Sequence, residues 1–187
     1  MIQNLNNLSD KELLKLLRGE RMQSEAAFSE FYRRYAPAVH AYCSKVFNDR
    51  TQAEDIFQET IIRFYQKVDT NATVINIPGY LITIARNLCL NHKRDVVTTV
   101  QIDGMEIMTE QNQQYETTEL LELITMSLDL IGFEYKEAFV LREWDGLPYN
   151  EIAEIIGTTI ENAKSRVFRA KQKIKDILAP YMKELCK

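Results

Sequence analysis

Apolar side chains recur along most of the chain at spacings of three and four residues, and this period constrains the fold more than any other feature of the sequence. Near the middle of the first half, one stripe contains Ala53, Phe57, Ile61, Phe64 and Val68. Only six glycines and four prolines interrupt the 187 residues, of which 45% are hydrophobic. Such a chain fills helical cores and offers few turns, so we expect an all-α protein.

Residues 96–119 lack this period. The segment is polar and carries five acidic side chains and no lysine or arginine. We interpret it as a flexible acidic linker, which would span about 80 Å if fully extended. The periodic segments on either side then form two small helical domains, residues 1–95 and residues 120–187.

Local signals predict several helix ends and one interruption. Ser9 and Glu12 have the spacing of a capping box at the start of a helix, and Thr158 and Glu161 have the same spacing later in the chain. Pro37 lies inside a long apolar-periodic segment. Because proline removes a backbone hydrogen bond, it predicts a kink or a break there.

The cysteines and the hydropathy pattern indicate a cellular compartment. Cys43, Cys89 and Cys186 form neither a C-x-x-C pair nor an even set, so we expect a reduced, cytoplasmic protein with Cys43 and Cys89 as core thiols. The sequence shows no signal peptide, and no apolar run approaches the ~18 residues of a membrane span. We therefore expect no membrane insertion.

Side chains that could perform chemistry are not grouped. The acids Glu54, Asp55 and Glu59 lack the Glu-x-x-His partner of a helical metal site, and His92 falls on the apolar side of its helix. We find no glycine-rich phosphate loop and no nucleophile motif. The sequence predicts a protein that is not an enzyme and that needs no metal or cofactor of its own.

The strongest local signal is KSRVFRAKQKIK at residues 164–175, which holds six cations and no acid in a chain of net charge −4. It follows LPYNEIAEIIGTTIEN, in which Gly157 separates a short helix from a longer one, as in a helix-turn-helix. One stripe of the longer helix is apolar, formed by Ile160, Ala163, Val167, Ala170, Ile174 and Ile177.

The polar side of that longer helix suits the major groove of DNA, where side chains reach base edges and phosphates. The alternative is a solvated amphipathic helix that binds nothing. We call the residues on and beside this outward side the Lys164 face, which comprises Lys164, Ser165, Arg166, Phe168, Arg169 and Lys171.

The helix predicted at residues 53–68 carries one apolar residue, Ile62, on the side opposite its apolar stripe. An apolar residue within a rim of acids and amides is typical of a protein-binding patch, although a single exposed isoleucine is also common. We call this set the Ile62 patch, which comprises Asp55, Gln58, Glu59 and Ile62.

The helix predicted at residues 80–94 places polar and cationic residues on one outward arc, which suits contacts to a nucleic-acid backbone. The preceding loop, residues 69–79, offers amides, and together with Tyr80 these are groups that bond to and stack on unpaired bases. An ordinary polar surface is the alternative. We call this the Tyr80 set, which comprises Tyr80, Thr83, Arg86, Asn87, Lys93 and Arg94.

Three segments together resemble the signature segments of bacterial sigma factors, most closely the short extracytoplasmic-function (ECF) class: AEDIFQETIIRFYQKV, GYLITIARNLCLNHKR and GLPYNEIAEIIGTTIENAKSRVFRAKQKI. They occur in the family's order, and the resemblance runs from about Ser9 to Leu178. It implies two helical domains, called region 2 and region 4, joined by a flexible linker.

The resemblance also implies a role for each residue set. The Ile62 patch would dock on the clamp coiled coil of core RNA polymerase. The Tyr80 set, with its loop, would open and read the minus-ten promoter element as a melted single strand, and the Lys164 face would read the minus-thirty-five element as duplex. Many members carry Gly-Thr-Val where this chain has Glu161, Asn162 and Ala163, so the target sequence does not carry over.

We therefore expect a dissociable specificity subunit that binds core RNA polymerase and promoter DNA and directs initiation. We expect a monomer in the free state, and the resemblance leaves open an anti-sigma factor as a further partner. The alternative is a conventional helix-turn-helix regulator that binds palindromic DNA as a homodimer without polymerase. The Ile62 patch and the two basic surfaces favour the first function.

Overall fold

The computed structural model describes residues 5–19, 21–47, 49–69, 76–99 and 116–185. These residues form helices and no strand, which confirms the all-α prediction. The chain divides into two compact units, Met1–Leu90 and Asn91–Lys187. The helices are α1 Asp10–Leu17, α2 Arg21–Val46, α3 Arg50–Asp69, α4 Ile77–Thr99, α5 Glu116–Asp129, α6 Phe133–Phe139, α7 Tyr149–Ile156 and α8 Ile160–Leu185, with a 3-10 turn at Leu5–Asn7 and a π turn at Val140–Trp144.

The first unit is built around the packing of α2 against α3. Their apolar stripes meet at the stacked rings of Phe31 and Phe64, whose centroids are 4.6 Å apart and which are both fully buried. Helix α2 continues through Pro37, so a break there was the wrong expectation. Ala36 and Val39 beside the proline are buried, and this packing holds the helix together where one N–H is missing.

A buried carboxylate and an arginine fasten the N-terminal turn to α2. The Arg34 guanidinium donates to the carbonyls of Leu8 at 2.7 Å and Leu5 at 2.8 Å, and it also donates to the Glu30 carboxylate at 2.5 Å. Glu30 is only 5% exposed. Hydrogen bonds from Arg33 and Arg34 lower the pKa of Glu30 to about 2, so the carboxylate is charged at neutral pH.

Helix ends differ in part from the sequence prediction. The capping box of Ser9 and Glu12 is confirmed, with hydrogen bonds in both directions. Helix α4 continues to Thr99 and α5 begins at Glu116, so helix extends into both ends of the predicted linker. No glycine or proline interrupts either extension. The rest of that linker, residues 100–115, lies outside the described residues.

Helix α8, the second helix of the helix-turn-helix, begins at Ile160, one residue later than predicted. Gly157 adopts the left-handed conformation with φ 66° and ψ 48°, and Thr158 donates its backbone N–H back to α7 at 2.9 Å. Thr158 therefore closes α7, and because α8 begins at Ile160 its cap position is Thr159, so the predicted box of Thr158 with Glu161 is wrong. The Thr159 hydroxyl caps α8 instead, accepting from the Asn162 N–H at 3.2 Å.

Helix α8 is the central helix of the second unit, and it packs against α5, α6 and α7. Lys136 of α6 is buried and its ammonium contacts the Asp129 carboxylate at 2.7 Å, which neutralises a charge inside the unit. The apolar cluster between α5 and α8 consists of Leu128, Ile131, Ala170, Ile174 and Leu178.

Candidate nucleic-acid and partner interfaces

Helix α8 buries one side and presents the other to solvent, as the sequence predicts. The middle of its apolar stripe is buried, from Ala163 to Ile174. The ends of the stripe differ from the prediction, because Ile160 is 40% exposed and Ile177 is only partly buried, while Leu178 is buried in its place. The buried length of about three turns fixes which way the opposite side points.

The Lys164 face lies on and beside that opposite side, and its six members share one helix. Phe168 is 63% exposed, which confirms the exposure expected for it. Lys164, Arg169 and Lys171 are exposed, whereas Ser165 and Arg166 are half-buried. An exposed aromatic ring between cations is able to make apolar contact with a thymine methyl or a sugar while the cations reach phosphates.

Two cations of this face lie beside residues of the π turn and the start of α7. The Lys171 ammonium lies 2.9 Å from the Glu143 carboxylate. The Lys164 ammonium lies 5.9 Å from the centroid of the Tyr149 ring, and the Arg142 guanidinium lies 4.7 Å from the same ring. Sequence analysis missed these neighbours, because they come from residues about 15 to 30 positions away that only folding brings beside α8.

The Ile62 patch lies on the solvent side of α3. Ile62 is 50% exposed, Asp55 and Gln58 are exposed, and Glu59 is half-buried. The Glu59 carboxylate accepts from the Arg63 guanidinium at 2.6 Å, so the acid is partly neutralised by a cation one turn away. The structure therefore assembles the patch as the sequence predicts, on a single helix face with an apolar centre and a polar rim.

A groove of about 500 Å³ between α2 and α3 adjoins this patch. The Tyr65 hydroxyl lies 3.1 Å from the Ser24 hydroxyl, and the Phe28 ring meets the Tyr65 ring edge-on at 5.7 Å. The sequence did not indicate this groove, since its walls come from two helices. The lining residues are Ser24, Glu25, Phe28, Ile61, Ile62, Tyr65 and Gln66.

The Tyr80 set lies along α4. The Tyr80 ring is half-buried against Phe64, with centroids 6.2 Å apart, and the Thr83 hydroxyl donates to the Gly79 carbonyl at 2.8 Å. Arg94, which hydrogen-bonds to Asn91, is exposed. Asn87 is also exposed, and Arg86 and Lys93 are partly buried. Of the loop expected to join this set, residues 70–75 lie outside the described residues.

The described residues contain no group of three or more His, Cys, Asp or Glu side chains that could hold a metal ion. Cys43 and Cys89 are buried, as predicted, and burial raises the pKa of Cys43 to about 12, so this thiol is not a nucleophile at neutral pH. His92 is partly buried. None of the helices that the structure describes is long and apolar enough to cross a membrane.

Two family models match the two halves of this architecture. Sigma-70 region 2 matches residues 31–97, which include the Ile62 patch and the Tyr80 set, and Sigma-70 region 4 matches residues 123–174, which include the helix-turn-helix. A region 2 followed by a region 4 defines the class of sigma-70 transcription initiation factors.

Relatives that match most of the chain show which group of sigma-70 factors it belongs to. The chain is 31% identical over 144 residues to the ECF RNA polymerase sigma factor EcfG of Rhodopseudomonas palustris, covering 76% of this chain and 80% of that protein. It is 27% identical over 150 residues to the ECF RNA polymerase sigma factor SigM of Bacillus subtilis, covering 78% and 91%. The chain belongs to the ECF group of the sigma-70 family, as its sequence segments indicate.

Solved structures agree with this assignment. The sigma factor RpoE of Bartonella quintana, solved in complex with the anti-sigma factor NepR, is 26% identical with a TM-score of 0.67, covering 81% of this chain and 96% of that one. CnrH, solved with the cytosolic domain of CnrY, shares the fold at a TM-score of 0.68 and 18% identity, covering 91% and 97%. The comparisons confirm a sigma factor that directs initiation at promoters and do not favour the homodimeric regulator.

Proposed function

We propose that this chain brings core RNA polymerase to promoters through three surfaces: the Ile62 patch for docking, the Tyr80 set for the melted minus-ten strand and the Lys164 face for the minus-thirty-five duplex. One observation carries the proposal. An exposed apolar centre with an acidic rim and an exposed cationic helix face lie in separate units of one chain, where the region 2 and region 4 matches fall.

Docking would use the exposed half of Ile62 together with the groove beside it. A partner side chain that fills the groove would bury Phe28 and Tyr65 as well as Ile62, and the acids of the rim would face basic residues of the partner. The clamp coiled coil of core polymerase is the partner that the family resemblance implies. The groove adds a cavity to the patch that the sequence predicts, which has one apolar anchor and a polar rim.

Upstream recognition would use the Lys164 face. Arg169 is exposed and able to hydrogen-bond a guanine edge in two places, Lys164 and Lys171 suit phosphates, and Phe168 suits an apolar contact. Glu161, near the start of α8, is exposed on the same helix and would disfavour acceptor-rich bases close to it. This acid gives the chain a promoter preference of its own.

Downstream recognition would use the Tyr80 set on melted DNA. Capturing flipped bases offsets an unstacking cost of a few kcal/mol, so binding the open strand favours opening. In this proposal residues 1–95 form the docking and melting domain, residues 96–119 form the acidic linker and residues 120–187 form the duplex-reading domain. The protein performs no chemistry of its own and acts in the cytoplasm.

An anti-sigma factor is a further proposed partner. The structures of RpoE and CnrH were each solved in complex with a second protein, the anti-sigma factor NepR for RpoE and the cytosolic domain of CnrY for CnrH. The exposed apolar groove of region 2 provides a surface that such a protein and core polymerase would compete for. In the absence of either partner we expect a monomer.

The test is reconstitution. The purified chain is mixed with core RNA polymerase, isolated as a complex and supplied with genomic DNA, and the transcript starts are sequenced. We expect starts that share two promoter elements and that disappear when either protein is omitted. A chain that bound palindromic DNA tightly by itself but formed no complex with core polymerase would overturn the proposal.

A further inference from the structure

The ion pair between Glu143 and Lys171 has a consequence for DNA binding that rests on the proposed function. Lys171 belongs to the Lys164 face, and Glu143 lies in the π turn before the helix-turn-helix. Their charged atoms are 2.9 Å apart, and the two side chains are 49% and 36% exposed. The pair therefore sits at the surface, where a DNA phosphate would compete with the carboxylate for the same ammonium.

The carboxylate is held in place by its neighbours. Arg142, the residue before Glu143, donates to the Leu147 carbonyl at 2.9 Å and lies over the Tyr149 ring. The next residue along the turn, Trp144, packs against the apolar cluster of the second unit. A carboxylate on a backbone fixed from both sides stays beside α8 when the flexible lysine moves away.

We propose that Glu143 restrains binding of α8 to any DNA duplex by pairing with Lys171. In the free protein the carboxylate already neutralises this cation. When Lys171 binds a phosphate, the DNA therefore releases fewer counterions than it would on binding an unpaired lysine. In the complex the same carboxylate is left close to the phosphate and repels it. Both effects lower affinity without regard to sequence, because a lysine on a phosphate reads no base.

This restraint lowers the affinity for promoter and non-promoter duplexes by the same factor and leaves the ratio of the two affinities unchanged. Arg169, the residue of the face best suited to a base edge, lies about 200° around the helix from Lys171, and the ion pair of Glu143 is with Lys171. Base reading therefore keeps its full contribution while the sequence-independent term is reduced. The free sigma factor then spends less time on non-promoter DNA.

The test compares four variants of the full-length protein with wild type on a fluorescent duplex of random sequence, about 30 bp long, between about 50 and 200 mM KCl. The variants are Glu143→Gln, Lys171→Ala, the double variant and Glu154→Gln. Glu154 is an exposed acid on α7 and provides the matched control, since its change removes the same charge elsewhere in the unit.

Glu143→Gln should bind about two- to fivefold more tightly at the lowest salt, the range expected for one surface ion pair. The slope of log K against log salt should steepen by up to about 0.9, the value for one further phosphate neutralised. The gain should be smaller in the Lys171→Ala background. Glu154→Gln should change affinity by less than about 1.5-fold, within the spread of an unpaired surface charge.

Three results would overturn the restraint: unchanged binding by Glu143→Gln, weaker binding by Glu143→Gln, or equal gains with and without Lys171. Weaker binding would mean that Glu143 positions Lys171 for DNA. Failure of the proposed function looks different, because then the wild-type chain would bind no duplex even at low salt, or Lys171→Ala would leave its affinity unchanged. That result also overturns the restraint, since there would be no binding to limit.

Discussion

Replacing Ile62 tests polymerase docking most directly. Full burial of an isoleucine side chain contributes about 1.5–3 kcal/mol, and half of Ile62 is already buried in the free protein. Ile62→Ala should therefore cost on the order of 1 kcal/mol of binding free energy, about fivefold in Kd. Ile62→Glu places a charge in the apolar contact and should cost at least about 3 kcal/mol, more than a hundredfold.

The assay is equilibrium binding of the labelled full-length chain to core RNA polymerase, with circular dichroism to check that each variant is folded. Ala38→Glu is the matched control, because it adds the same charge at an exposed position of α2 that does not line the groove. A folded Ile62→Glu variant with a Kd within twofold of wild type would refute the docking assignment. Equal weakening by the control would show that net charge, and not this surface, governs binding.

Three further outcomes are expected. In competition binding, Arg169→Ala should lose about 1–3 kcal/mol of binding free energy on a promoter duplex identified by the reconstitution, and little on a scrambled duplex. Equal losses on both duplexes would make Arg169 a phosphate contact. The pKa of Glu30 is lowered to about 2 by Arg33 and Arg34, so its stabilising contribution is present above about pH 4.5 and is lost as pH falls toward 2. In urea unfolding, the free energy of unfolding should fall less steeply between about pH 4.5 and 2 for Glu30→Gln than for wild type. Parallel pH dependences of the two proteins would contradict this. Gly157→Ala should destabilise the protein by about 1–2 kcal/mol through its left-handed φ of 66°, although the added carbon would meet no heavy atom within 4 Å beyond the adjoining chain. Thermal unfolding checks this, and an unchanged Tm would mean that the turn relaxes.

Features that depend on one helix were predictable, because the position of a residue along a helix fixes the face on which it lies. The buried stripe of α3, the exposure of Ile62 and Phe168, and the burial of Cys43 and Cys89 all follow from a period of 3.6 residues. The helix does not break at Pro37, because packing on both sides of the proline outweighs its local propensity. The capping prediction at Thr158 failed by one residue because the end of one helix and the start of the next compete for the same turn.

By itself, the sequence determined the all-α class, the order of the two halves, the family and the helix faces that carry the proposed functions. All of these depend on periodicity or on contiguous segments. Only the tertiary structure decided what lies beside those faces: the groove between α2 and α3 next to Ile62, and Glu143 next to Lys171. These neighbours come from separate helices and turns, and their distances depend on how the cores pack, which no spacing along a single chain segment encodes.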